Sequence, residues 1–221
     1  MKRIVLSCSI LGMLVLSGCT QAPSLATQGA SEPEAAPAAQ VPAGWATHTS
    51  QRCEYAMSYP SDWEVTDQGR YSQLFSPKPA SADDAFPNFV YVSVVAPEIQ
   101  ELVEAGAYQS EVYNYLPAET EALLGLQVGG SASLSENVEL ASAFTYRRQA
   151  DVAIGGQTAG AYTNAAPWEF PAGTKETRYY TSLDGCTYLI GGYMDTTGSS
   201  QPGAISEDLF RQVMATVQWV P

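Results

Sequence analysis

Residues 89–96 read Phe-Val-Tyr-Val-Ser-Val-Val-Ala, and this segment limits the fold more tightly than any other. β-Branched and aromatic residues at this density favour a strand. In a strand, Phe89, Tyr91 and Val95 point one way, and Val90, Val92, Val94 and Ala96 point the other. Both sets are apolar, so both faces of the sheet that holds this strand must be covered. A sheet with one wet face is excluded. Helices can supply the covering layers, and the expected class is α+β.

A second strong signal is a hairpin. Residues 177–183 and 186–194 are β-rich and flank Asp184-Gly185, the pair favoured in two-residue type I′ turns. The returning strand places Cys186, Tyr188, Ile190 and Met194 on one face and Leu189 and Tyr193 on the other. Gly191 and Gly192 leave room for something packed closely against it. Further strands are expected at residues 53–59, 64–66, 71–76, 144–154 and 157–163, with Gly155-Gly156 turning the chain between the last two. A helix is expected over 206–218, with Ser206 as N-cap, Glu207 and Asp208 in its first turn, and Leu209, Phe210, Val213 and Val217 as its buried stripe. Pro117 suits the first position of another helix that carries Leu123, Leu124 and Leu126. Residues 98–105 suit a third, short one.

The chain starts with Lys2 and Arg3, runs through apolar residues 4–16, and reaches Leu16-Ser17-Gly18-Cys19. This layout resembles a bacterial lipoprotein signal peptide with its lipobox. The resemblance implies a signal at residues 1–18, cleavage before Cys19, and lipidation of Cys19, which would hold the protein on a lipid membrane outside the cytoplasm. The apolar run is too short to span a bilayer, which takes about 20 residues. Residues 20–44 are rich in Ala, Pro, Ser and Gln and almost free of large apolar side chains. Such a segment cannot bury enough surface to offset its ordering entropy. It reads as a linker that reaches roughly 25–30 Å as a flexible coil. Residues 19–44 are therefore the lipidated Cys with its linker, and residues 45–221 are one domain.

The chain has 10 Lys+Arg against 23 Asp+Glu, a formal net charge of −13. Removing residues 1–18 takes away two basic and no acidic side chains, so the mature chain is more acidic still. Such a surface repels phosphate backbones, which excludes nucleic acid as a partner. Of the four Cys, Cys8 leaves with the signal and Cys19 takes lipid. Cys53 and Cys186 remain, in an oxidising compartment, and are expected to form a disulfide. The alternative is two buried free thiols.

The run Tyr55-Ala56-Met57-Ser58-Tyr59-Pro60-Ser61-Asp62-Trp63-Glu64-Val65 resembles the opening strand and turn of the PsbP-like domain, a family named after an extrinsic protein of photosystem II. Leu74-Phe75-Ser76-Pro77, Ile154-Gly155-Gly156-Gln157-Thr158-Ala159 and the ending Phe210-Arg211-Gln212-Val213-Met214-Ala215-Thr216-Val217 are similar to later parts of that domain. The resemblance implies an α/β/α sandwich around a mainly antiparallel β-sheet. It also implies a non-enzymatic lipoprotein that binds or helps assemble a membrane protein complex, photosystem II if the host is photosynthetic. No binding residue carries over from the family.

Catalytic constellations are scarce. His48 is the only His and is expected to be an exposed polar residue at the linker edge. Zinc needs several His or Cys ligands that the mature chain lacks. Asp83-Asp84 lacks a calcium loop around it and reads as a solvated loop. No metal, no cofactor and no enzymatic activity are expected. Trp168 and Phe170, in an aromatic-rich segment between strands, are the candidates for contact with a ligand or partner. They support an alternative function, a cell-envelope module that binds a cation or a glycan. The competing reading is that these rings only pack the core and edges.

Overall fold

All six residues of Val90–Val95 are buried, as a strand covered on both faces requires. This strand is β5, and it sits in a nine-stranded sheet. The computed structural model describes residues 41–51, 53–78, 88–97, 99, 102, 112, 117–135, 141–167, 170–198 and 203–220. They fall in one unit, Ala35–Pro221.

The chain enters through β1 (Trp45–Ser50) and β2 (Tyr55–Pro60), which pair with each other and with the last strand, β12 (Gln218–Trp219), in a separate three-stranded sheet. The turn at Ser61-Asp62 then carries it into the large sheet, which starts with β3 (Trp63–Asp67), β4 (Ser72–Pro77) and β5. Next come helix α1 (Pro117–Leu124), β6 (Ser131–Ser133), a 3-10 turn at Ala141–Phe144, β7 (Thr145–Arg148) and β8 (Val152–Ile154). The sheet is completed by β9 (Gln157–Asn164), β10 (Thr174–Leu183) and β11 (Cys186–Asp195), and helix α2 (Glu207–Ala215) precedes β12. The strand order is β3-β4-β5-β11-β10-β9-β7-β6, with β8 on β9. Every pairing among the described residues is antiparallel.

The β10–β11 hairpin forms as expected. Leu183 pairs with Cys186, and Asp184 and Gly185 take φ of 51° and 82°, the left-handed pair that a type I′ turn needs. The strand expected over 144–154 is broken instead. A 3-10 turn opens it, and β7 and β8 are separate strands on opposite sides of residues 149–151. The expected C-terminal helix is shorter than its apolar stripe. Ser206 caps it, its oxygen accepting from Leu209 N at 3.1 Å. The helix stops at Ala215 because Thr216 turns its hydroxyl back to the Val213 carbonyl at 2.7 Å and accepts from Ser58 N at 2.9 Å, after which the chain joins β2 as β12. β1 and β6 carry no strong strand signal and form through pairing with β2 and β7. Of the expected helix 98–105, only Ile99 and Leu102 lie among the described residues, and both are helical.

Two cores lie against the large sheet. The larger gathers Val90, Val92 and Val94 of β5, Ile190 and Met194 of β11, Tyr55 and Met57 of β2, and Phe210 and Val213 of α2. The smaller gathers Tyr91, Tyr146, Tyr162, Tyr180, Leu189 and Tyr193, with Leu123 of α1. The alternation read in residues 89–96 and 186–194 thus separates the two cores. Val95, at the strand end, joins the larger one. Each core includes a helix residue, and the larger also includes the three-stranded sheet. Cys53 and Cys186 form a disulfide with Cα atoms 6.1 Å apart, tying the start of β2 to the central hairpin.

Candidate functional site

Strand β10 organises the polar chemistry of the molecule. Glu176, Arg178 and Tyr180 face the smaller core, and Lys175, Thr177 and Tyr179 face the side of α2. The first set is sealed. Glu176 is 1% exposed, and its carboxylate accepts from the hydroxyls of Tyr91 at 2.8 Å and Tyr146 at 2.5 Å and from Arg178 Nε at 2.7 Å. The Arg178 guanidinium lies 4.4 Å from the centre of the Tyr146 ring. Burial, and next the Glu176 charge, push the Tyr91 and Tyr146 phenols well above their ordinary range. Both stay protonated and act only as donors. The cluster is one buried ion pair whose carboxylate accepts three hydrogen bonds. Its chemistry is cohesion.

The second set opens to solvent. A groove of about 140 Å³ runs between α2 and the sheet. Thr163 and Thr177, directly opposite each other on β9 and β10, lie in its floor. Tyr179 and Phe210, stacked with ring planes 12° apart, form an apolar wall with Met194. Gln149 closes the β7 side and gives its amide N–H to Thr163 Oγ1 at 2.9 Å. The rim is ionic. Glu207 accepts from Lys175 Nζ at 2.7 Å and from Arg211 at 3.1 Å, and Arg211 also reaches Asp208 at 3.1 Å. The hydrogen bond from Lys175 holds the Glu207 carboxyl below its ordinary value. Burial raises the Tyr179 phenol, partly offset by Arg211.

Gly192 shapes the groove wall. A Cβ there would lie 2.7 Å from the Phe210 ring, so only glycine lets α2 seat this closely on β11. On the opposite face, a Cβ on Gly191 would meet the Tyr91 hydroxyl at 2.3 Å. The room expected at this glycine pair is therefore filled by an aromatic ring on each face.

Phe170 stacks on Tyr193, centroids 3.9 Å apart and planes 7° off parallel, and packs against the smaller core. Its ring is part of the packing on the face opposite the groove. Trp168, Cys19 and Asp83-Asp84 lie outside the described residues. Among the described residues, no three His, Cys, Asp or Glu side chains group as a metal site. His48 is not an exposed residue of a linker edge. It lies in β1, half-buried, with its ring edge-on to Phe75 at 5.4 Å and 6.0 Å from Tyr55. Burial lowers its pKa, and the Asp67 charge opposes part of the shift. The sequence reading missed the groove because its residues come from the β7–β8 connection, β8, β9, β10, β11 and α2. Alternation along residues 174–183 was the one local signal for it.

No protein-family model matches the chain, and a search of curated proteins found no match. Among solved structures, the chain is similar to the cyanobacterial PsbP protein CyanoP of Synechocystis, at 12% identity and TM-score 0.42, covering 81% of this chain and 95% of that one. It is also similar to LpqN of Mycobacterium tuberculosis, described as involved in cell envelope biogenesis, at 12% identity and TM-score 0.38, covering 76% and 83%. A third similar structure comes from Bacteroides thetaiotaomicron, at 14% identity and TM-score 0.39, covering 76% of this chain. This chain spans 45% of that protein's length.

Proposed function

We propose that this protein is an extracytoplasmic binding domain, held to a membrane by lipid on Cys19, with no catalytic step of its own. The groove beside α2 carries this reading. It is open, lined by hydroxyl, amide, ionic and aromatic groups from several elements, and built on a rigid sheet, as binding sites commonly are. Its ionic groups are engaged with one another. Lys175 donates to Glu207, and the Tyr179 phenol keeps its proton, so neither is poised as a base or nucleophile. The Cys53–Cys186 disulfide suits an oxidising compartment. The motif at residues 55–65 supports a PsbP-like α/β/α domain, and its Tyr59-Pro60-Ser61-Asp62-Trp63 segment is where the chain passes between the two sheets. In the same proposal, the linker holds the domain clear of the bilayer so that the groove can engage a membrane protein complex or an envelope ligand.

The test is photo-crosslinking in intact cells with a photoreactive residue at Gln149, compared with one at the exposed Leu124 on α1. Recurrent adducts from position 149 and not from 124 are expected. Equal capture from both positions, or none from 149, overturns the groove as the binding site. The anchor is tested separately. Cys19→Ser is expected to move the protein from the membrane to the soluble fraction, and retention on the membrane overturns lipid attachment.

A further inference from the structure

The small sheet has a bare edge. Its order is β1-β2-β12, and among the described residues nothing pairs with β1 on the side away from β2. The ladder on the far side of β2 fixes which groups of β1 are open. Val220 N donates to Glu54 O at 2.9 Å, and Ser58 N donates to the Thr216 hydroxyl at 2.9 Å, so Glu54, Ala56 and Ser58 direct their backbone groups away from β1. Tyr55, Met57 and Tyr59 therefore direct theirs to β1, where they meet Ser50, His48 and Ala46. Thr47 and Thr49 are the alternate positions. They direct N–H and C=O outward, and both residues are exposed.

Edge strands are commonly guarded by charge, proline or shortness. At the ends of the large sheet, β3 carries Glu64 and Asp67, and β6 has only 3 residues. β1 has 6 residues and contains no Asp, Glu, Lys, Arg or Pro.

The chain itself passes this edge. Trp45 N donates to Pro42 O at 3.3 Å, and Gly44 takes φ of 82°, so residues 42–45 form a turn that reverses the chain immediately before β1. Counting back through the turn sets Val41 opposite Ala46, Gln40 opposite Thr47, Ala39 opposite His48 and Ala38 opposite Thr49. Residues 38–40 lie outside the described residues. Their chemistry suits the register. Ala38 and Gln40 meet the two open positions, and each has an N–H to give. Pro37 falls opposite Ser50, at a position that makes no ladder bond, where its missing N–H is harmless. Val41, 42% exposed, falls on the face of Ala46 and His48, and Gln40 falls on the outer face with Thr47.

We propose that residues 38–41 close onto β1 as a fourth strand of the small sheet, making the end of the linker a strap on the domain. A turn with positive φ only at its second central residue splays its arms, so the strap closes reversibly. A tethered segment competes for the edge at an effective concentration on the order of millimolar. A second copy must instead bring together two chains of formal net charge −13. With the strap closed, the free tether is residues 20–37, which reach roughly 21–25 Å as a flexible coil, and it leaves from the Ser50 end of β1. That shortening rests on lipid at Cys19, whereas the pairing itself is independent of the anchor and of the groove.

The experiment reads amide exchange at Thr47 and Thr49 in the full chain, held in nanodiscs of zwitterionic lipid. The parent chain is compared with a variant carrying Ala38→Pro and Gln40→Pro, which removes both linker donors. Exchange at the two threonines is expected to be at least threefold slower in the parent. A second measurement uses paired cysteines. Opposed residues of a hydrogen-bonded antiparallel pair have Cα atoms about 5.5 Å apart, within disulfide reach. Gln40→Cys with Thr47→Cys is expected to oxidise at least fivefold faster than Gln40→Cys with Thr49→Cys, one step out of register. Equal exchange in parent and proline variant overturns the proposal, as do equal oxidation rates for the two cysteine pairs. Protection that survives the proline variant also overturns it, and if that protection grows with protein concentration the edge belongs to a second copy.

Discussion

The two faces of the nine-stranded sheet are closed by different physics. On the α2 face, Val90, Val92, Val94, Ile190, Met194 and Phe210 exclude water mainly through apolar area, with the disulfide and the three-stranded sheet at one end. On the α1 face, Tyr91, Tyr146 and Tyr180 bring polar atoms into the core, and the Glu176–Arg178 pair satisfies them. Apolar burial adds up gradually, at about 25 cal/mol per Å². A buried polar network depends on completeness, because one missing member strands the rest. The first face therefore tolerates an open groove along its margin, and the second is shut.

This contrast predicts where single changes cost most. The largest loss is expected from Glu176→Leu, which leaves Arg178 charged and buried without its carboxylate, at about 3–5 kcal/mol. Urea unfolding measures it. Adding Arg178→Met should recover much of the loss, because replacing a buried ion pair by apolar groups is often close to neutral. A single variant no worse than about 1 kcal/mol would mean that the α1 face is not held by its network.

Next is the disulfide. Cys53→Ser with Cys186→Ser should lower stability by about 2–5 kcal/mol, read from the same unfolding curves. The loss should appear as a uniform fall in stability and leave the network hydrogen bonds intact by amide exchange. Selective loss of protection around Tyr146 would contradict the independence of the two faces.

The glycine pair sharpens the comparison within one strand. Gly191→Ala drives a methyl into the Tyr91 hydroxyl and away from Glu176, whereas Gly192→Ala meets the edge of the Phe210 ring. Overpacking alone costs about 1–3 kcal/mol at either site. Gly191→Ala is expected at or above the top of that range, because it also breaks a hydrogen bond to a buried charge, and Gly192→Ala lower, because α2 can shift. Equal thermal shifts for the two variants would remove the distinction.

The smallest effect concerns pH. His48, on the apolar side, has its pKa lowered by burial among Phe75 and Tyr55, with Asp67 pulling the other way. The unfolded chain takes up the proton first as pH falls below about 6.5. Stability attached to this group is therefore complete above that pH and is lost as pH falls through the lower folded value. Replacing His48 with Phe should flatten that part of the stability–pH curve relative to the parent chain. An unchanged difference between parent and variant from pH 7 to pH 5 would show that His48 does not feel its burial.

Much of the scaffold was legible in residues that act locally. Asp184-Gly185 specifies its turn because both residues take positive φ there. Ser206 announces its helix because its oxygen meets the first open N–H groups. Alternation in residues 89–96 and 186–194 sorts side chains onto the correct cores. Where the reading erred, a distant partner decided. Residues 216–219 leave the helix for β2, and residues 45–50 become a strand through that same β2. His48 followed its strand into the packing.

The two polar sites show the same division more sharply. Period-two patterning is a property of a single strand, so residues 174–183 by themselves establish that Glu176 and Arg178 share one face and Lys175, Thr177 and Tyr179 the other. Which face would be sealed and which left open depended on the strand order that brings Tyr91 and Tyr146 to Glu176, and on α2 settling beside β10 over Gly192. Those meetings join residues 30 and 85 positions apart. No local spacing encodes them, because they follow from packing both faces of one sheet at once.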